Sequence, residues 1–116
     1  MTRKRNDSHS TEFGLWLREQ NEIDSSKGFV TTNIDYLWFN YKNKKWMLIE
    51  EKRFNSEPTF SQNQMFKIIK KACESDSNFL GFHVLKFSHT NPDDGEIYWD
   101  NKKISKLELL KVLLFK

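Results

Sequence analysis

The stretch that decides the fold is Lys45-Trp46-Met47-Leu48-Ile49-Glu50-Glu51-Lys52, where four apolar residues are followed directly by three charged ones. An apolar run of this kind, without alternation, is typical of a central strand that is buried on both faces. Because alternate residues of a strand share a face, Glu50 and Lys52 point to one side and Glu51 to the other. Burying charges is costly unless they are paired or bind a metal, so this strand end predicts a functional site.

Asp35 lies near the start of the preceding predicted strand, and the register of the hairpin decides whether it faces Glu50. A two-residue loop at Lys42-Asn43 places Asp35 directly opposite Glu50. A loop at Asn43-Lys44 places it opposite Lys52, with Glu50 on the diagonal. Both registers put the three side chains on one face, whereas a three-residue loop needs a bulge to do so.

The three side chains together predict metal-assisted chemistry. Two neighbouring carboxylates, Asp35 and Glu50, repel each other unless a cation lies between them. Hard oxygen ligands suit Mg²⁺ or Mn²⁺, and the backbone carbonyl of Glu51 is a further candidate ligand. Such a metal polarises a phosphate and generates hydroxide from water, while Lys52 orients that water or stabilises negative charge.

The remaining sequence predicts one α/β domain over residues 11–116, preceded by a disordered polar arm at residues 1–10. The predicted elements are a helix from Thr11 to about Glu22, strands at Phe29–Thr32, Ile34–Tyr41, Lys45–Lys52 and Phe79–Phe87, a helix from Thr59 that ends at residues 75–78, a hairpin of Ile97–Trp99 with Lys103–Ile104, and a helix at Lys106–Phe115.

Capping signals support two of these helices, and the position of His83 indicates a structural role for that histidine. Thr59 with Gln62 and Ser105 with Glu108 have the spacing of capping boxes, in which each side chain binds the other residue's backbone N–H. His83 lies in the middle of a predicted strand, so we interpret it as a sheet histidine with satisfied hydrogen bonds. The three histidines form no spaced metal cluster.

Composition limits the classes of function. The 116 residues include a single cysteine, Cys73, which excludes a disulfide within the chain and a cysteine-based zinc site, and indicates a reducing compartment. No apolar run approaches the roughly 20 residues of a membrane span, so we expect a cytoplasmic protein without a membrane partner. A net charge of +3 mildly favours a polyanionic partner.

Asp35, followed after fourteen residues by Glu50-Glu51-Lys52, resembles the D…(D/E)xK signature of PD-(D/E)xK nucleases, with Ile34 where the motif has proline. The predicted order over residues 11–87 is similar to the αβββαβ restriction-endonuclease-like core of that family, with a mixed sheet, here followed by a hairpin and a helix. The resemblance implies a Mg²⁺-dependent DNA endonuclease, with Mn²⁺ as a substitute. Small members include Holliday junction resolvases and nucleases of phages and mobile elements.

The resemblance also implies further site residues. A glutamate on the first helix often completes the metal site, for which Glu12 is preferred and Glu19 stays open. A glutamine on the second helix often lies near the site, as Gln62 or Gln64. A homodimer is expected, because cutting two strands needs two sites. Predicted contacts to the DNA backbone are made by basic residues that flank the acidic site: Lys42, Lys44, Lys45, Arg53 and Lys67.

Two other classes of function compete with the nuclease. The first is a catalytically inactive module that binds nucleic acid or protein on the same fold. The second is a structural or regulatory protein in which Glu50 and Lys52 form a surface ion pair, and it predicts no metal binding and an exposed site. The presence of Asp35, Glu50 and Lys52 together favours the nuclease.

Overall fold

The computed structural model describes residues 11–29 and 31–116. The chain divides into two compact units, the first ending at Thr31 and the second spanning Thr32–Lys116. One domain over residues 11–116 therefore stays a prediction, and the predicted disordered arm, residues 1–10, lies outside the described residues. None of the helices in the described part of the chain has both the length and the apolar character needed to cross a bilayer.

Helix α1, Glu12–Glu19, is the main element of the first unit and is shorter than predicted. Thr11 caps the helix, because its hydroxyl accepts a hydrogen bond from Gly14 N at 3.1 Å. The helix ends because Gln20 adopts an extended conformation, with φ −91° and ψ 115°. Two short 3₁₀ turns follow, at Asn21–Ile23 and Ser25–Lys27.

The predicted strand at Phe29–Thr32 is wrong for the described residues, because residues 29 and 31–34 belong to no strand. A β-prone run becomes a strand only where a neighbouring strand offers hydrogen-bonding partners, and no described strand pairs with residue 29 or with residues 31–34. The described residues therefore contain two strands before the second helix, where the αβββαβ order has three.

The second unit is an α/β fold with a five-stranded mixed sheet, as predicted, including the C-terminal hairpin and helix. Only β2 and β3 are parallel, and α2 makes the crossover between them. The strands lie in the order in which they follow along the chain: β1 (Tyr36–Phe39), β2 (Trp46–Lys52), β3 (Phe79–Phe87), β4 (Ile97–Trp99) and β5 (Lys102–Ile104). The helices are α2 (Phe60–Cys73) and α3 (Lys106–Leu113).

Each face of the sheet packs against one helix. On one face, Leu109 of α3 joins a buried cluster with residues from three strands: Met47, Ile49, Leu85, Phe87 and Ile97. On the other face, Phe66 of α2 stacks on Phe82, with ring centroids 4.3 Å apart. Burial of Met47, Leu48 and Ile49 confirms β2 as a central strand that is covered on both sides.

Both predicted capping boxes are confirmed. Thr59 Oγ1 accepts from Gln62 N at 3.1 Å, and Gln62 Oε1 accepts from Thr59 N at 3.0 Å. The same reciprocal pair joins Ser105 and Glu108 at the start of α3. The first of these caps places Gln62 in the first turn of α2, close to the end of β2.

Candidate active site

The register of β1 and β2 decides the geometry of the site. Tyr36 pairs with Ile49, so Asp35 lies opposite Glu50, one residue beyond the ladder. This is the register that was predicted for a loop at Lys42-Asn43. Asp35, Glu50 and Lys52 therefore extend from the same face of the sheet, at the carboxyl end of β2.

Glu50 is the buried acid of the site, with 4% of the residue exposed. Burial and the nearby Asp35 carboxylate raise the pKa of Glu50 to about 7, against the opposing effect of the Lys52 ammonium. Glu50 Oε1 is buried and has no hydrogen-bond partner. An unpartnered buried carboxylate oxygen has the electrostatic character of a cation ligand.

Lys52 is held between the sheet and α2. Its Nζ lies 3.4 Å from Glu50 Oε2 and donates to Gln62 Oε1 at 3.0 Å. The structure thus brings Gln62, of the two candidate glutamines, into contact with the site, while Gln64 is exposed on α2. Because an ammonium has three donors, Lys52 retains one N–H for a further acceptor.

The Asp35 side chain contacts the backbone of Glu51, and the side chains of the two residues lie on opposite faces of the sheet. Asp35 Oδ2 accepts from Glu51 N at 2.8 Å, which fixes the Asp35 carboxylate beside β2. The Glu51 side chain instead accepts from Tyr36 Oη at 2.9 Å and lies 3.8 Å from Arg53 Nε. A ligand role for the Glu51 backbone carbonyl stays a prediction.

The carboxylates available for a metal are Asp35 and Glu50. Across residues 11–29 and 31–116, no group of three or more His, Cys, Asp or Glu side chains is placed to hold a metal ion. Glu12 and Glu19 are exposed on α1 in the first unit, so the helix-one carboxylate stays a prediction.

The predicted phosphate contacts fall into two groups. Lys42, Lys44 and Lys45 precede β2, and the site lies at its other end, about 20 Å away along the strand at ~3.3 Å per residue. The structure therefore does not bring these three lysines to the site. Arg53 directly follows Lys52 and is exposed, and Lys67 is exposed on α2.

Sequence reasoning missed Lys86, which pairs with Lys52 across the parallel strands. Lys86 Nζ forms an ion pair with Glu57 and lies 5.5 Å from the centre of the Tyr98 ring. Only 15% of its side chain is exposed. The signal was the one that revealed Lys52, a lysine within an otherwise apolar strand, but the register between β2 and β3 cannot be read from sequence.

His83 is a satisfied sheet histidine, as predicted. Its Nδ1 lies 2.6 Å from Asp100 Oδ2 and its Nε2 lies 2.7 Å from Leu80 O, so an imidazolium donates to both acceptors. The ring stacks on Trp99, with centroids 4.7 Å apart. Burial lowers the pKa of His83, but the hydrogen bonds to Asp100 and Leu80 outweigh burial and raise the pKa above its ordinary value.

This pair predicts a pH-dependent stability. A histidine whose pKa is raised on folding contributes stability that is complete below its unfolded value, about 6.5, and is lost as pH rises through the folded value. His83→Gln should therefore destabilise the protein most below pH 6.5, with a difference that shrinks at higher pH. Urea unfolding from pH 5 to 9 measures this difference. An equal loss at every pH, or the same profile for the exposed His89→Gln control, would contradict the assignment.

Comparison with known proteins gives a relative without an assigned activity. An uncharacterized protein of Archaeoglobus fulgidus is 29% identical over 101 residues, which cover 84% of this chain and 67% of that protein. No family model matches the chain. No solved structure matches it.

Proposed function

We propose that this protein is a metal-dependent endonuclease that hydrolyses DNA phosphodiester bonds. The observation that supports the proposal is the meeting of Asp35, Glu50 and Lys52 on one face at the end of a buried strand. The similarity of this triad to the PD-(D/E)xK signature supports the reaction class that we propose, and the contacts of each residue support the role proposed for it below.

Asp35 and Glu50 would hold Mg²⁺, with Mn²⁺ as a substitute. The buried, unpartnered Glu50 Oε1 and the raised pKa of Glu50 fit a cation, because a cation relieves the repulsion between two carboxylates. Two carboxylates are an ordinary protein contribution to a Mg²⁺ site, since water and substrate phosphate complete the coordination. When bound, the metal supplies charge neutralisation at the phosphate and a lowered pKa for water.

Lys52 acts on the reacting phosphate through its remaining N–H. Its contacts with Gln62 and Glu50 fix the ammonium, so charge stabilisation needs no rearrangement during the reaction. Gln62 is a positioning residue, because it acts through Lys52. Asp35 is oriented by the Glu51 N–H, which keeps the two carboxylates in register.

A cleavage assay tests the proposal directly. Supercoiled plasmid and branched DNA are incubated with the full chain in Mg²⁺, in Mn²⁺ and in EDTA, with Asp35→Asn as the inactive variant. We expect metal-dependent nicking that both EDTA and the substitution abolish. Absence of cleavage of either substrate, together with absence of Mn²⁺ binding by calorimetry, would overturn the nuclease and favour the inactive binding module.

The homodimer is also proposed, on the evidence of α3. Leu107 and Leu110 of α3 and the C-cap residue Leu114 are more than half exposed and repeat at helical spacing, while Leu109 faces the core. An apolar stripe of this kind on the outer side of a helix is typical of a surface that contacts another protein, and we propose a second copy of this chain as that partner. Such a dimer would supply the two sites that cutting both strands requires.

A further inference from the structure

A row of cationic and aromatic side chains crosses the sheet from Lys52. Lys52 pairs with Lys86, Lys86 with Tyr98, and Tyr98 with Lys103, each directly across neighbouring strands. Directly paired residues share a face, so all four side chains lie on the face that carries Glu50. At a strand spacing of ~4.8 Å, this basic row extends about 14 Å from the candidate active site to the edge strand β5.

Each lysine of the basic row is paired with a carboxylate. Lys86 binds Glu57, on the loop between β2 and α2, and Lys103 Nζ lies 2.8 Å from Glu96 Oε2. These two carboxylates are exposed, with 61% and 50% of their side chains accessible to solvent. The Lys103–Glu96 pair is exposed on both sides and contributes little stability, and Glu57 is the exposed partner of the Lys86 pair, so a phosphate can approach either lysine from solvent and displace its carboxylate.

We propose that the basic row is a track for the phosphodiester backbone of the substrate, in which Glu57 and Glu96 occupy the lysines until nucleic acid arrives. This inference rests on the proposed nuclease function and adds where the strand lies beside the site. The nucleic-acid strand would cross the carboxyl ends of β2 and β3. Tyr98 offers its ring and hydroxyl to that strand between Lys86 and Lys103. A backbone bound at Lys103 and Lys86 continues toward Lys52.

The proposal predicts opposite changes in DNA affinity when the lysine or the glutamate of each ion pair is substituted. Binding of a fluorescein-labelled forked DNA, which offers single-stranded and duplex backbone, is measured by anisotropy in EDTA at several salt concentrations. Lys86→Met and Lys103→Met should each weaken binding about five- to tenfold and lower the slope of log affinity against log salt by about 0.7 to 0.9. Glu57→Gln and Glu96→Gln should tighten binding.

Lys102→Met is the matched control. Lys102 lies next to Lys103 in β5 but pairs with Trp99 on the opposite face, so the same loss of charge should leave affinity nearly unchanged. If Lys86→Met and Lys103→Met bind as Lys102→Met does, or if Glu57→Gln weakens binding as much as Lys86→Met, the track is wrong. Metal-dependent plasmid cleavage by the same preparation would show that the nuclease survives that result, and its absence would show that both proposals fail.

Discussion

Glu50→Gln should abolish cleavage and at the same time stabilise the metal-free fold above pH 7. Cleavage should fall by about 10² to 10³-fold or more, because the amide cannot supply the anionic oxygen that a hard cation requires. Stability should rise because the substitution removes a buried carboxylate whose Oε1 lacks a partner. If Glu50 instead stabilised the fold through its ion pair with Lys52, Glu50→Gln would lower the stability.

The direction with pH follows from the raised pKa of Glu50. Ionised Glu50 destabilises the folded state, with a penalty that is absent below the unfolded pKa of 4.5, grows as pH rises, and is complete above about pH 7. A shift of this size corresponds to about 3 kcal/mol, with the attraction to Lys52 already included, and burial of the glutamine amide without a full set of hydrogen bonds lowers the expected gain to about 1 to 3 kcal/mol.

Denaturant unfolding of wild type and Glu50→Gln in EDTA at pH 4.5, 6 and 8 measures the gain. Glu51→Gln is the matched control, since the adjacent glutamate points to the other face and binds Tyr36. We expect the gain to be largest at pH 8 and to vanish at pH 4.5. A loss of stability at pH 8 would show that Glu50 is held by Lys52 as an ordinary ion pair.

Lys52→Met should reduce the cleavage rate by about 10² to 10³-fold with a much smaller effect on DNA binding. The substitution retains an apolar stem of similar length and removes the ammonium that touches Glu50 and Gln62. Loss of an interaction that strengthens in the transition state lowers kcat. Loss of a contact that is equally strong in the ground state and the transition state raises KM instead.

Lys86→Met is the comparison that separates these two roles. Lys86 is the direct neighbour of Lys52 in the parallel ladder and has similar exposure, 15% against 17% for the side chains. Single-turnover kinetics should show Lys86→Met with a normal rate at saturating DNA and Lys52→Met with a rate that saturation cannot restore. Equal rate losses in both variants would contradict a special role for Lys52.

The parts of the fold that sequence predicted well are those that local chemistry determines. The capping residues Thr59 and Ser105 set the starts of α2 and α3, and Asp100-Asn101 sets the turn of the C-terminal hairpin. The apolar run of β2 was sufficient to place a buried central strand. Phe29–Thr32 failed because β propensity describes how a residue suits a strand and carries no information on whether a partner strand is present.

The candidate site was predictable only to the extent that it lies within one hairpin. Because alternate residues of a strand share a face, only a few registers of the β1–β2 hairpin bring Asp35, Glu50 and Lys52 to one face. One of those registers is observed. Lys86 comes from a strand that follows the α2 crossover, where no turn ties the register to β2. Its position depends on packing across the whole sheet, such as the stacking of Phe66 on Phe82.

Gln62 Oε1 accepts two hydrogen bonds, one from the Thr59 backbone that begins α2 and one from the Lys52 ammonium. One oxygen atom therefore couples the first turn of α2 to the position of the Lys52 ammonium. Opening of that turn, which is a low-energy fluctuation at any helix end, removes one of the two contacts that hold Lys52 and leaves the contact with Glu50. For the proposed nuclease, the lifetime of this helical turn sets how long both contacts align Lys52.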